Sequence, residues 1–148
     1  MPRLRAATAA EEPVTVIMLG EPVAWARAAG GRNVRLFTPT KQRNNAATLR
    51  MIAMQEMRGR QPFDCPVVGF VTAELPIPQS WSKKKQEAAL RGEIWPGKKP
   101  DLSNILKQIE DALNGIVFRD DALIVRYDLL VKRYSTQPKI VATYRAVS

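Results

Sequence analysis

The chain contains no histidine and only one cysteine, Cys65, among its 148 residues. Structural and catalytic zinc sites are usually built from histidine and cysteine ligands, so the usual zinc sites are excluded. A lone cysteine also excludes an internal disulfide. Any metal ion held by this chain must therefore be bound by oxygen ligands.

Long apolar runs are missing as well, since no stretch approaches the ~20 residues that a membrane-spanning helix needs. Residues 1–12 carry Arg3 and Arg5 among alanines and lack the apolar core of a secretory signal. We interpret residues 1–12 as a flexible basic arm and residues 13–148 as one domain. We expect a cytoplasmic protein with no membrane partner.

Acidic residues are outnumbered: 23 Lys and Arg stand against 14 Asp and Glu, giving a formal net charge of +9. The excess lies mostly upstream, because residues 1–60 hold 10 basic and 4 acidic side chains. Such a charge indicates a polyanionic partner, most simply nucleic acid. Charge alone does not separate a nuclease from a basic ribosomal or packaging protein.

The stretch from residue 100 to residue 128 organises the rest of the chain. Apolar side chains recur there every three or four positions, which predicts a helix with one buried face. Asp101 stands at its expected start, Asn114-Gly115 supplies the left-handed end, and Lys107 lies on the polar face. The apolar positions are Leu102, Ile105, Leu106, Ile109, Ala112 and Leu113.

A strand is predicted after this helix, from Ala122 to Leu130, because the segment is rich in Leu, Ile, Val and Tyr. Asp120 and Asp121 then lie on the loop that feeds the strand. We expect the return from helix to strand to bring Asp101 close to this acidic pair.

The remaining pattern predicts a single α/β domain in which helices pack on a mixed β-sheet. Glu74 is expected to be a solvated carboxylate near the end of a central strand, and Trp81 and Trp95 to be core anchors. Residues 21–35, which carry Pro22, two adjacent glycines and three arginines, are expected to form a loop. The predicted strands cover residues 14–19, 36–38, 67–75 and 139–146, and the other helices cover about residues 41–57 and 82–91.

Three convergent carboxylates in a basic chain repel one another unless a cation lies between them. Asp101, Asp120 and Asp121 therefore predict a Mg²⁺ site, for which Mn²⁺ is a possible substitute, because Mg²⁺ prefers carboxylate, water and phosphate oxygens. Such a site suits phosphodiester hydrolysis, and Lys107 would supply a fixed positive charge for the phosphate. Each residue also has a plain structural interpretation: Asp101 as a helix cap, the acidic pair as a turn and Lys107 as a solvated side chain.

Several segments together resemble the RusA family of Holliday junction resolvases. They are K-P-D-L-S-N-I-L-K, D-A-L-N-G-I-V-F-R-D-D, a strand ending in Val131-Lys132, and the weaker G-E-P-V-A-W-A-R and F-T-P-T-K-Q-R. The resemblance covers most of residues 14–146. It implies a homodimeric α/β endonuclease of bacteria and their phages that makes paired, Mg²⁺- or Mn²⁺-dependent cuts in four-way DNA junctions during recombination and repair.

The resemblance places the family's catalytic residues on Asp101, Lys107 and Asp121, with Asp120 as a further metal ligand. The family's second acid falls on Ser103, which is neutral and a weaker ligand than a carboxylate, so cleavage is expected to be weakened or lost while DNA binding survives. A junction-binding protein that cannot cut is therefore one alternative, and a basic RNA-binding or structural protein is another. Arg27, Arg32, Lys41 and Arg43 are expected to contact the DNA backbone.

Overall fold

A computed structural model describes residues 12–22 and 40–147, with side chains described from residue 44 onward in the second range. This part of the chain forms one α/β domain, as the sequence predicts. Its three α-helices are α1 (Thr40–Met57), α2 (Lys83–Leu90) and α3 (Leu102–Leu113), and its strands are β1 (Val14–Leu19), β2 (Val67–Pro76), β3 (Ile124–Ser135) and β4 (Lys139–Ala146). The short strand predicted at residues 36–38 lies outside the described residues.

The four strands form a mixed sheet in the order β1-β4-β2-β3. β4 pairs antiparallel with both β1 and β2, whereas β2 and β3 run parallel. A parallel pair needs a crossover connection, and α2 and α3 lie in the segment that makes it. Among the described strands, β1 and β3 are therefore the edges of the sheet.

The core lies between one face of the sheet and the helices α1 and α3. Alternate residues of β1 turn toward it, so that Val14, Val16 and Met18 are buried while Ile17 and Leu19 are exposed. α3 contributes Ile105, Ile109 and Leu113, which lose all contact with solvent. The apolar residues whose spacing predicts α3 thus form the face of α3 that packs against the sheet.

The start of β3 differs from the prediction, because the strand begins at Ile124 and continues to Ser135. Asp121–Leu123 forms a single 3₁₀ turn instead. The carboxylate of Asp120 accepts a hydrogen bond from the backbone N–H of Ala122 at 2.9 Å, which favours the turn over an extended backbone.

The prediction that Glu74 is solvated was wrong. Glu74 is 8% exposed, and its carboxylate pairs with Arg133 at 3.5 Å and Lys139 at 3.6 Å. Arg133 lies on β3 and Lys139 on β4, the two strands that pair with β2. The sequence of β2 alone does not show that these residues lie opposite Glu74. Glu74 is therefore a paired carboxylate of the sheet.

Candidate active site

The acidic pair lies beside the C-terminal end of α3. The backbone N–H of Asp121 donates to the side-chain oxygen of Asn114, the residue that ends the helix, at 3.0 Å. This bond anchors the first residue of the 3₁₀ turn to the end of the helix. Both Asp120 and Asp121 are exposed, so their carboxylates face solvent where a phosphate could approach.

Asp120 and Asp121 have pKa values that move in opposite directions. The backbone N–H of Ala122, together with a hydrogen bond from Asp121, lowers the pKa of Asp120. The same hydrogen bond with Asp120 is the main reason that the pKa of Asp121 is raised. Two neighbouring carboxylates repel each other, and a divalent cation bound beside them would relieve that repulsion.

Lys107 lies on the exposed face of α3 within the electrostatic reach of the pair. Its ammonium is 3.8 Å from Asp111, and its positive charge partly offsets the rise in the pKa values of Asp121 and Glu110. The ion pair with Asp111 is weak, because both side chains are largely exposed to water. Lys107 is thus available to an incoming phosphate.

Glu110 is a further carboxylate of this end of α3. It accepts a hydrogen bond from the hydroxyl of Tyr127 at 2.8 Å, and the Tyr127 hydroxyl also lies 2.8 Å from that of Tyr144. Desolvation raises the pKa of Glu110, with a smaller contribution from the nearby Asp121. The spacing of Glu110 from Lys107 and Asn114 predicts that all three lie on one face of the helix, but the sequence does not show this hydrogen-bond network.

Asp101 lies at the other end of α3. It occupies the capping position, yet its carboxylate makes no capping hydrogen bond, so the helix leaves its oxygens available. Ser103 follows in the first turn and is exposed. Just before Asp101, the ammonium of Lys132 donates to the backbone oxygens of Lys98 at 2.7 Å and Pro100 at 3.0 Å, which fixes the entrance of the helix to β3.

The expected meeting of the two acidic clusters does not occur within one chain. Asp101 and Asn114 are separated by 13 helical steps, and at 1.5 Å per residue their Cα atoms lie about 20 Å apart. The described part of the chain accordingly contains no group of three His, Cys, Asp or Glu residues able to hold a metal ion. Within one chain, the fit to Mg²⁺ rests on Asp120 and Asp121 alone, which matches its frequent binding by one or two carboxylates plus a substrate phosphate.

The basic residues expected to touch DNA are only partly described. Arg27 and Arg32 lie outside the described residues, and Lys41 and Arg43 are described only as part of the first turn of α1. Trp95, expected in the core, is instead 60% exposed in the loop that precedes Lys98. An exposed indole beside lysines is a surface on which a base can stack.

Comparison with known proteins identifies the family. The family described as Endodeoxyribonuclease RusA matches residues 20–143. The chain belongs to the RusA family. It is also 37% identical over 135 residues to the uncharacterized protein YqaN of Bacillus subtilis (strain 168), an alignment that covers 87% of this chain and 93% of YqaN.

Membership of the RusA endodeoxyribonuclease family confirms the resemblance drawn from the sequence and supports a nuclease. The matched range contains both acidic clusters, Lys107 and Ser103, whose roles stay predictions. No helix in the described ranges is long and apolar enough to cross a membrane.

Proposed function

We propose that this RusA-family chain is a divalent-metal-dependent endodeoxyribonuclease that makes paired cuts in four-way DNA junctions. The family match over residues 20–143 carries the proposal. The exposed Asp120–Asp121 pair supports it, because two adjacent carboxylates that repel each other suit a cation bound to oxygen ligands. In this proposal residues 13–148 form the nuclease domain and residues 1–12 a basic arm.

In this proposal Asp120 and Asp121 would supply the carboxylate ligands of one ion. Asp101 and the weaker, neutral ligand Ser103 lie about 20 Å away at the other end of α3, so they would not reach that ion within the same chain. A bound Mg²⁺ or Mn²⁺ supplies Lewis-acid activation of water and of the phosphodiester. Lys107 holds a positive charge that binds the scissile phosphate and offsets the negative charge that grows on it in the transition state. Asn114 fixes the turn that carries Asp121, and Lys132 fixes the backbone before Asp101.

The net charge of +9 supports a DNA substrate, since phosphate contacts provide most of the affinity of such proteins. We assign backbone contacts to Arg27, Arg32, Lys41 and Arg43. Contacts of this kind hold the DNA in register without reading its sequence. A four-way junction has two-fold symmetry, which a homodimer can match.

Ser103 favours a second candidate function, a junction-binding protein that does not cut. Replacing a family carboxylate by a hydroxyl removes one negative charge, which weakens metal binding and lessens repulsion of the DNA phosphates. The two candidates share DNA binding and differ in divalent-ion-dependent cleavage.

The experiment compares the native chain with a Ser103→Asp variant on a labelled four-way junction and on a duplex of the same sequence. Each is incubated with Mg²⁺, Mn²⁺ or EDTA at equal protein concentration, and gel retention and strand cutting are both recorded. Metal-dependent cutting of the junction by the native chain is the expected result. Tight junction binding with cuts only after Ser103→Asp would establish the second candidate, and binding of RNA without preference for junctions would refute both.

A further inference from the structure

Trp95 is the one aromatic side chain that is exposed to solvent among the residues whose side chains the structure describes, with 60% of its surface accessible. It lies in the loop between α2 and α3. Within the described ranges, no ring or cation packs on its indole. The large flat face of this indole is not used by the core and is open to a ligand.

Trp81 shows what the same side chain does where it stabilises the fold. Trp81 is half-buried. Its ring meets the ring of Tyr134 edge-on with centroids 5.3 Å apart, and the ammonium of Lys85 lies 4.1 Å from its centroid. It packs against a small apolar cluster that joins α2 to the sheet. Trp81 is therefore a structural residue, and Trp95, in a different environment, does not share that role.

The backbone on both sides of Trp95 is held in place. Ile94 packs against the same apolar cluster as Trp81, and Pro96 is buried. Further along the loop, the ammonium of Lys132 donates to the backbone oxygen of Lys98 at 2.7 Å. The indole is therefore presented from a fixed backbone, so binding through it costs little conformational entropy.

The loop that carries the indole and the helix before it are positively charged. Residues 83–99 hold six basic and two acidic side chains, a net charge of +4. Arg91 is occupied by an ion pair with Glu93 at 3.1 Å. Lys98 and Lys99 are exposed and follow the indole by only three and four residues. The indole thus lies beside exposed ammonium groups of the kind that bind the phosphates of nucleic acids.

An aromatic ring flanked by lysines is a combination by which proteins bind single-stranded nucleic acid. A base stacks on the ring while the cations contact the phosphates of the strand. In a continuous duplex each base is already stacked between its neighbours, so its face is not open to the indole. At a branch point or in a single strand, an unpaired base can offer that face. The ligand that fits this ring and its lysines is therefore an unpaired base in a polynucleotide strand.

We propose that Trp95 stacks on an unpaired DNA base and that Lys98 and Lys99 bind the phosphates next to it. This inference rests on the proposed function for DNA as the ligand, and it adds the feature of branched DNA that the chain recognises. Trp95 precedes Asp101 by six residues, which span at most about 22 Å, so the stacked base lies near the entrance of α3. Stacking needs neither metal nor cutting, so it is tested without either.

Binding affinity tests the stacking. Trp95→Ala, Trp95→Phe and the matched control Trp81→Phe are titrated in EDTA against a labelled single strand and a duplex of the same sequence. Trp95→Ala should keep the native Tm and bind the single strand about 5- to 150-fold more weakly, with little change on the duplex. Trp95→Phe should retain most of the affinity, and Trp81→Phe should lower Tm while binding as the native chain does. Native-like binding of the single strand by Trp95→Ala, or an equal loss on both DNAs, would overturn the inference.

A second measurement follows the ring itself. When 5-fluorotryptophan replaces the three tryptophans, each ring gives a ¹⁹F resonance, and the resonance missing from Trp95→Phe belongs to Trp95. Addition of the single strand should shift this resonance and leave that of Trp81 in place. An unshifted Trp95 resonance at saturating DNA would overturn the inference.

The salt dependence of binding tests the two lysines. Lys98→Gln combined with Lys99→Gln removes two phosphate contacts, so the slope of log K against log salt on the single strand should become shallower by about 1.4. An unchanged slope would overturn the assignment of phosphate contacts to Lys98 and Lys99.

These measurements separate the inference from the proposed function. Single-strand binding that depends on Trp95, by a chain that never cuts even as Ser103→Asp, would refute the nuclease and retain the stacking site. Metal-dependent cutting by a chain whose single-strand binding is unaffected by Trp95→Ala would retain the nuclease and refute the stacking site. An RNA strand of the same sequence tests the source of the base, and tighter binding of RNA than of DNA through Trp95 would overturn the assignment to DNA.

Discussion

Gln108 is a buried polar residue whose desolvation is not offset by hydrogen bonds. Replacing it by methionine should therefore stabilise the protein. The side chain is fully buried in α3, and within residues 12–22 and 40–147 neither its amide nitrogen nor its amide oxygen finds a hydrogen-bond partner. A buried polar group without a partner costs about 1–3 kcal/mol. Methionine has a similar length, flexibility and helix propensity, so Gln108→Met removes the cost without creating a large cavity.

The expected gain of about 1–3 kcal/mol in the free energy of unfolding corresponds to a rise of about 3–9 °C in Tm for a chain of this size. Thermal unfolding followed by circular dichroism, together with urea titration, measures both quantities. Gln86→Met is the matched control, because the amide of Gln86 donates to the backbone oxygen of Trp81 at 2.8 Å. That control should lose stability. A loss of stability in Gln108→Met as well would refute the reasoning, since it would show that the native amide is satisfied in solution.

Three further predictions concern the neighbours of the site. Gly69→Ala should cost about 1–3 kcal/mol in urea unfolding by overpacking, because an added Cβ would clash with the ring of Tyr127 and stand 2.9 Å from Cε1 of Tyr144. Unchanged stability would contradict that packing. Burial raises the folded pKa of Glu110 above its ordinary 4.5, so the native protein loses stability as the pH rises through that folded pKa. Glu110→Gln should therefore have a higher Tm than the native chain at about pH 8 and an equal Tm at about pH 3.5, and the reverse order would be inconsistent with a raised pKa. Lys132→Met should speed tryptic cleavage after Lys98 by freeing the backbone that Lys132 holds, whereas the exposed Lys83→Met should not.

Hydrophobic periodicity was sufficient to predict α3, because a strong apolar stripe with marked ends leaves little choice of structure. The same holds for β1 and β4, where alternation shows which residues turn inward. The start of β3 was missed because the competing hydrogen bond from Ala122 to Asp120 favours a turn in a segment whose residue types suit a strand. The local pattern of apolar residues thus predicts the helices and strands better than it predicts the residues at which they begin.

Relations across the sheet could not be read from the sequence. The burial of Glu74 depends on Arg133 and Lys139, which are distant in the chain and are brought together only by strand register. The separation of Asp101 from Asp121, by contrast, can be predicted from the sequence, because a helix of 12 residues already implies it. The return from helix to strand brings Asp121 only to the end of α3 at Asn114, and the helix itself separates that end from Asp101.

The most direct measurement of the proposed function maps the cuts that the native chain makes in a four-way junction labelled in turn on each strand. With Mg²⁺ or Mn²⁺ we predict two cuts placed symmetrically on opposing strands, none with EDTA, and none from Asp121→Asn, while the distant Glu93→Gln cuts as the native chain does. An intact junction under every metal condition, or cuts in Asp121→Asn equal to those of the native chain, would contradict the assignment of this acidic turn to metal-dependent DNA cleavage.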